Sequence, residues 1–287
     1  MEREMPPYLI YMKKQGAGLI QNAFDITGTP VFNNRWTPPD SFYNSGPDDY
    51  IVSDIKFKPD GTEMYLMQSG KTQQWTLSTP WDPTSATLTF TDVNFVKGDA
   101  MFISSDGTKI FWLLSNQLYF GSLGTPWVLS TVSEGASTGG VANGRGLVFS
   151  PDGLKMYTIV DNASDDIQQF NLLNAFDLSP WYATSPSPAL TFSTGANHVT
   201  PRAIEISSDG TKMYSVGSYA GLVYQYDMST PYDVSSMTFT GGDTFDGSTP
   251  AGAPTEGTFG SITFSTDGSK FFIGGNDRDV VISYSTS

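Results

Sequence analysis

Hydrophobic residues recur at fixed offsets from five Asp-Gly pairs along the chain. Five positions before each aspartate stand Ile55, Met101, Leu147, Ile204 and Ile262, and three before it stand Phe57, Ile103, Phe149, Ile206 and Phe264. A two-residue period marks a strand with one buried face. Each run ends in a polar break: Lys58-Pro59-Asp60-Gly61-Thr62-Glu63, Ser104-Ser105-Asp106-Gly107-Thr108-Lys109, Ser150-Pro151-Asp152-Gly153-Leu154-Lys155, Ser207-Ser208-Asp209-Gly210-Thr211-Lys212 and Ser265-Thr266-Asp267-Gly268-Ser269-Lys270. A second apolar run follows, as in Met64-Tyr65-Leu66 and Met213-Tyr214-Ser215, and a third, as in Gln73-Gln74-Trp75 and Val223-Tyr224-Gln225-Tyr226. Fourth strands are fainter and clearest at Thr87-Leu88-Thr89-Phe90, Leu190-Thr191-Phe192 and Met237-Thr238-Phe239.

Repeats of this length, each an Asp-Gly turn between apolar runs, are the pattern of propeller blades, whose faces are buried only against neighbouring blades. The pattern predicts an all-β fold, a single β-propeller of five blades; a sixth blade built from residues 8–37 is the alternative. The fifth copy reaches Ser287 just after its third strand, and an open ring would expose two strand edges. Ala23-Phe24-Asp25-Ile26 followed by Pro30-Val31-Phe32 repeats the pattern of Ala175-Phe176-Asp177-Leu178 and its downstream strand. Residues 24–36 are therefore expected to supply the outer strand of the last blade. Residues 1–15 read as an N-terminal arm and 16–287 as the propeller. The apolar stretch from Met5 to Met12 serves either as a docking segment or as an extra strand.

A second recurrence joins third and fourth strands: Ser78-Thr79-Pro80-Trp81-Asp82, Gly124-Thr125-Pro126-Trp127 and Ser229-Thr230-Pro231-Tyr232-Asp233, with Phe176-Asp177 in the third copy. An aromatic repeated in nearly every blade points to packing rather than to sugar stacking. The Asp-Gly pairs carry one carboxylate each, too few for calcium, and read as tight turns in which Gly takes positive φ. One low-affinity calcium candidate is the set Asp161, Asp165 and Asp166; otherwise no metal and no cofactor is expected. His198 is the lone histidine, so an imidazole metal site is excluded.

Both recurrent turns fall on one rim of the propeller, which reads as scaffold. The opposite rim collects irregular loops, residues 37–53, 91–99, 131–145, 193–202 and 240–260, and rigid scaffolds carry function on such loops. Its candidate binding residues are Tyr50, Phe95, Asn143, Arg145, His198, Arg202, Tyr219, Phe245 and Asp246. Seven residues before each turn aspartate stand Ser53, Asp99, Arg145, Arg202 and Gly260, which would ring the mouth of the central channel, with Asp54 beside them. Two arginines there suit carboxylate or phosphate recognition, or else form an Arg–Asp pair between blades.

A formal charge of −14 argues against nucleic acid and anionic membrane as partners. The chain has no cysteine, so thiolate chemistry and disulfides are excluded. No apolar leader and no run of membrane-spanning length occurs, which predicts folding in the cytoplasm. No Gly-x-Ser-x-Gly, P-loop or dinucleotide fingerprint is present.

Phe149-Ser150-Pro151-Asp152-Gly153-Leu154-Lys155-Met156-Tyr157 and Val223-Tyr224-Gln225-Tyr226-Asp227-Met228-Ser229-Thr230-Pro231-Tyr232-Asp233 resemble a bacterial and phage propeller repeat. That repeat is similar to those of lactonase-like and surface-protein propellers. The likeness spans about residues 50–287, and Glu63 and the residue after Trp127 depart from it. Compact copies of this kind resemble virion proteins of tailed phages. The resemblance implies a fibre, spike or decoration module that binds other virion proteins or a host-surface glycan. The alternatives are a cellular adhesion or scaffold propeller, and a lactonase- or glycosidase-like enzyme. Against the lactonase, Arg145 and Arg202 would stand where such a propeller holds its cation. For the glycosidase, Asp54, Asp99 and Glu205 are the inner-strand carboxylates.

Overall fold

The computed structural model describes residues 23–286 apart from 29, 40–51, 69, 95, 97, 115, 139–140, 182–186, 195–199, 219–220, 240–243, 247–257 and 276–279. After β1 (Val31–Trp36), the first blade comprises β2 (Asp54–Phe57), β3 (Glu63–Gln68), β4 (Lys71–Leu77) and β5 (Ala86–Asp92). The second comprises β6 (Ala100–Ile103), β7 (Lys109–Leu114), β8 (Gln117–Leu123) and β9 (Val132–Ser137), and the third β10 (Gly144–Phe149), β11 (Lys155–Val160), β12 (Asp166–Asn171) and β13 (Leu190–Ser193). The fourth has β14 (Pro201–Ile206), β15 (Lys212–Gly217), β16 (Leu222–Met228) and an outer edge in two pieces, β17 (Met237–Thr238) and β18 (Thr244–Asp246). The fifth is β19 (Phe259–Phe264), β20 (Lys270–Gly275), β21 (Val280–Ser285) and, on the outside, β1.

The protein is thus an all-β, five-bladed propeller closed by its N-terminal strand. Antiparallel pairing runs from Val31↔Ser285 to Trp36↔Val281. Five buried apolar clusters fill the five interfaces between adjacent blades. The one that seals the ring sets Val52, Ile55 and Trp75 of the first blade against Phe272 and Val281 of the fifth.

Each hairpin turn is built alike. Asp106 Oδ1 accepts from the backbone N of Thr108 at 2.9 Å and its hydroxyl at 2.8 Å, and the following glycine takes φ of +72°. The recurrent aromatics lie flat on these glycines: a Cβ on Gly61 would stand 2.4 Å from the Trp81 ring, and one on Gly268 would stand 2.5 Å from Phe24. In all five blades the aromatic's backbone N donates to the glycine carbonyl, at 3.0 Å for Trp81 and Trp127, 2.9 Å for Phe176 and Tyr232, and 3.1 Å for Phe24. Phe24 therefore fills in the last blade the role of Trp81 in the first.

Tyrosine and glutamine side chains also staple the first, third and fourth blades each to the next. Tyr65 and Tyr157 hydroxyls donate to the carbonyls of Trp127 and Tyr232 at 2.5 and 2.8 Å, and Tyr214 does the same to Phe24. Third-strand glutamines accept from backbone N–H groups of the following blade: Gln74 from Leu129 at 2.8 Å, Gln169 from Val234 at 3.2 Å and Gln225 from Ile26 at 3.3 Å.

Two expected loops contain strands. Residues 132–137 form β9, and residues 244–246 form β18, which pairs with β16 from Leu222↔Asp246 to Tyr224↔Thr244. Gly135 and the Ser/Thr-rich composition hide both, because an outer strand with little apolar content shows no alternation.

Candidate functional site

Two layers of side chains cross or rim the central channel. The outer layer lies at the mouth on the irregular rim. Arg145, Arg202 and Gly260 are the unpaired residues of bulges: β10, β14 and β19 each shift register by one at these positions. A bulge re-aims the extra side chain, and here it lends both arginines to the mouth. Ser53 and Asp99 hold the corresponding places just before β2 and β6, their backbone N–H groups donating to Met67 at 2.9 Å and Leu113 at 2.8 Å.

Arg145 reaches Asp99 on the second blade through Nη1 at 3.4 Å and Asp161 on its own blade through Nη2 at 3.4 Å. Its Nε is buried without a partner. Arg202 donates through Nε to Ser218 Oγ at 2.6 Å. Burial holds the Asp99 carboxyl above its usual range, opposed by the nearby charges of Arg145 and Arg202. Asp99, Arg145 and Arg202 thus come together at the mouth, and the Arg–Asp pair between blades forms.

Asp161 directly follows β11, where its N–H donates to the Asn143 carbonyl at 2.9 Å, and its pairing with Arg145 brings it to the mouth while it stays near enough to Asp165 for their charges to interact. Asp165 is raised by burial and then by the like charges of Asp161 and Asp166, while Asp166 accepts from Asn162 at 3.3 Å. Among the described residues no three His, Asp or Glu side chains gather in a metal-holding group.

Asn143 precedes β10 in a left-handed conformation, φ +58°, and its N–H donates to Asn116 Oδ1 at 3.1 Å. Phe245 and Asp246 sit in β18, on the outer edge of the fourth blade rather than in a loop. Tyr50, Phe95, His198 and Tyr219 lie outside the described residues.

The inner layer was missed as a unit in the sequence. Asp54, expected beside the mouth arginines, turns inward: its carboxylate accepts from the N–H groups of Ile55 and Met101, both at 2.8 Å, and lies 3.6 Å from Lys56 Nζ. Lys56 crosses the channel to Glu205 on the fourth blade, 3.2 Å away, and Glu205 also accepts from the Ile206 N–H at 3.0 Å. Burial pushes the Asp54 carboxyl up to about 6 against the pull of Lys56. Lys56 itself is held above its usual range: burial works to lower it, and Asp54 and Glu205 outweigh that. The signal for this layer was the fourth position before each turn aspartate, Lys56, Phe102, Val148, Glu205 and Thr263, where a charged residue occurs in two copies.

Among the described residues no helix is long and apolar enough to cross a membrane. No family model matches the chain, and no curated protein sequence matches it. Solved structures similar to it include Kuenenia stuttgartiensis hydrazine synthase, at 15% identity over 80% of this chain and 57% of that one, with a TM-score of 0.45. A functionally unknown protein from Desulfotomaculum acetoxidans shows 12% identity over 85% of this chain and 72% of its own, with a TM-score of 0.43. A candidate 6-phosphogluconolactonase from Bacteroides uniformis shows 15% identity over 70% and 58%, with a TM-score of 0.44. Likeness at this level carries no argument about activity, and the five-bladed architecture stands on the strand pairing itself.

Proposed function

We propose that this chain is a non-enzymatic binding propeller whose irregular rim takes a protein or glycan partner, in the setting of a tailed-phage particle as fibre, spike or decoration protein. The observation that carries the binding reading is the difference between the two rims. The Asp-Gly rim repeats one set of bonds in all five blades, glycine under aromatic and aromatic N–H to glycine carbonyl. Among the described residues the opposite rim varies from blade to blade, with Ser53, Asp99, Arg145, Arg202 and Gly260 at one repeat position and bulged arginines in two of the blades. Invariant bonding serves a scaffold, and variation between copies on one face serves recognition. Carboxylates in the channel are engaged by Lys56, Arg145 and backbone N–H groups, which favours structure over acid–base catalysis. The particle setting rests on the resemblance of the repeats.

Alanine at Tyr50, Arg202, Tyr219, Phe245 and Asp246 together is expected to abolish adsorption of the purified protein to host cells, or its co-sedimentation with particles, while shifting the melting temperature little. Normal adsorption by that variant, with loss on changing the Trp81 and Trp127 rim, would move the working face to the other side. A protein that never sediments with particles, yet binds cells through the same residues, would place the module on a cell instead.

A further inference from the structure

The inner layer divides the channel. Lys56, Phe102, Val148, Glu205 and Thr263, one residue from each blade, all line a cavity of about 220 Å³ that opens toward the Asp-Gly rim, at the end opposite the arginine mouth. Its walls are largely apolar, with Phe57, Phe149 and Phe264 above the layer, and hydroxyls such as Ser208 and Thr266 stand toward the opening.

Charge decides what such a pocket takes. Lys56 lies between two carboxylates, Asp54 at 3.6 Å and Glu205 at 3.2 Å. One ammonium shared by two carboxylates leaves a unit of negative charge in a site where water is scarce: Asp54 is 2% exposed and Lys56 8%. Asp54 is held by the Ile55 and Met101 N–H groups and the Lys56 ion pair, and it does not line the cavity. Glu205 does line it, and among the described residues the Ile206 N–H and Lys56 are its hydrogen-bond donors, whereas a carboxylate accepts about four hydrogen bonds. An anion would meet a lysine already neutralised and the surplus charge behind it. A cation would meet an underused carboxylate, with aromatic rings in the walls whose faces favour positive charge.

We infer that this cavity is a socket for an alkylammonium group, received by Glu205 and walled by the phenylalanines. The same chemistry is carried by a free aliphatic amine and by a lysine side chain of a docking protein. The site is separate from the rim proposed above for partner binding, and its test does not depend on adsorption.

Titration calorimetry or ligand-observed NMR with n-butylammonium, 1-butanol and butyrate on the full chain tests it. Saturable binding of n-butylammonium is expected, at least tenfold tighter than 1-butanol, with no binding of butyrate. That comparison needs no variant. Glu205→Gln is expected to weaken n-butylammonium at least tenfold and leave 1-butanol unchanged. N-acetyl-lysine methylamide separates the sources: tighter binding than n-butylammonium points to a protein side chain, and exclusion points to a free amine. Equal binding of amine and alcohol, no saturable amine binding, or full amine affinity in Glu205→Gln would overturn the inference.

Discussion

A single glycine shows how tightly each turn is specified. Gly210 combines φ of +73° with a Tyr232 ring 2.4 Å from where a Cβ would stand. Gly210→Ala is therefore expected to cost at least about 2 kcal/mol, from the left-handed conformation and the displaced ring together, read as a lower denaturant midpoint. Asp54 offers a test by pH. Its carboxyl is raised to about 6 in the folded protein from an ordinary 3.8, so the native state holds the proton more tightly than the unfolded chain. Stability from this group is fully present below about pH 4 and is lost as pH rises through about 6. Asp209, lowered by its bonds to Ser207 and Thr211 against the opposing effect of burial, works the other way and favours the fold above its unfolded range. Comparing urea midpoints of the native chain and Asp54→Asn between pH 4 and 7 isolates the first effect. The native chain should gain on the variant as pH falls, and parallel curves would show that Lys56 holds Asp54 ionised throughout.

Between elements, the glutamine staples join blades that share no strand pairing. Gln169→Ala removes the acceptor of the buried Val234 N–H and is expected to cost about 1–3 kcal/mol, with faster amide exchange at Val234. The second blade lacks this glutamine; Phe120 stands in its place and packs on Phe111. Asn34 plays a comparable part at the closure, where its Oδ1 accepts from Ser283 at 2.5 Å and its Nδ2 donates to Asp82 at 3.1 Å on the first blade. The outer edge of the fourth blade is made of two short strands, β17 and β18, both paired with β16.

For the molecule as a whole, closure is the feature on which stability turns. The strand β1 covers β21, Phe24 caps Gly268, and Ile26 is held by Gln225. Deleting residues 1–36 removes all three and uncovers a buried, apolar edge, Val280 to Tyr284. The truncated chain is expected to melt well below the intact one and to self-associate on size exclusion, since an open strand edge templates pairing. Melting at the native temperature as a monomer would mean that closure contributes nothing.

Local chemistry alone determined most of the architecture. Alternation before and after each Asp-Gly pair marked the three inner strands of every blade, because those strands are buried on a fixed face and the turn between the first two admits few residues. The missing outer strand could be located because Phe24-Asp25 repeats Phe176-Asp177. The outer strands β9 and β18 carried no such mark, since their short sequences hold too few apolar residues to alternate. The site divided in the same way. Arg145 and Arg202 could be placed at the channel mouth by counting back from the turn. The bulges that aim them and the Arg145–Asp161 pair depend on strand register within a blade, and the Lys56–Glu205 bridge on which blades face each other across the axis. A contact between residues 149 positions apart is set by ring closure, and no local pattern encodes it.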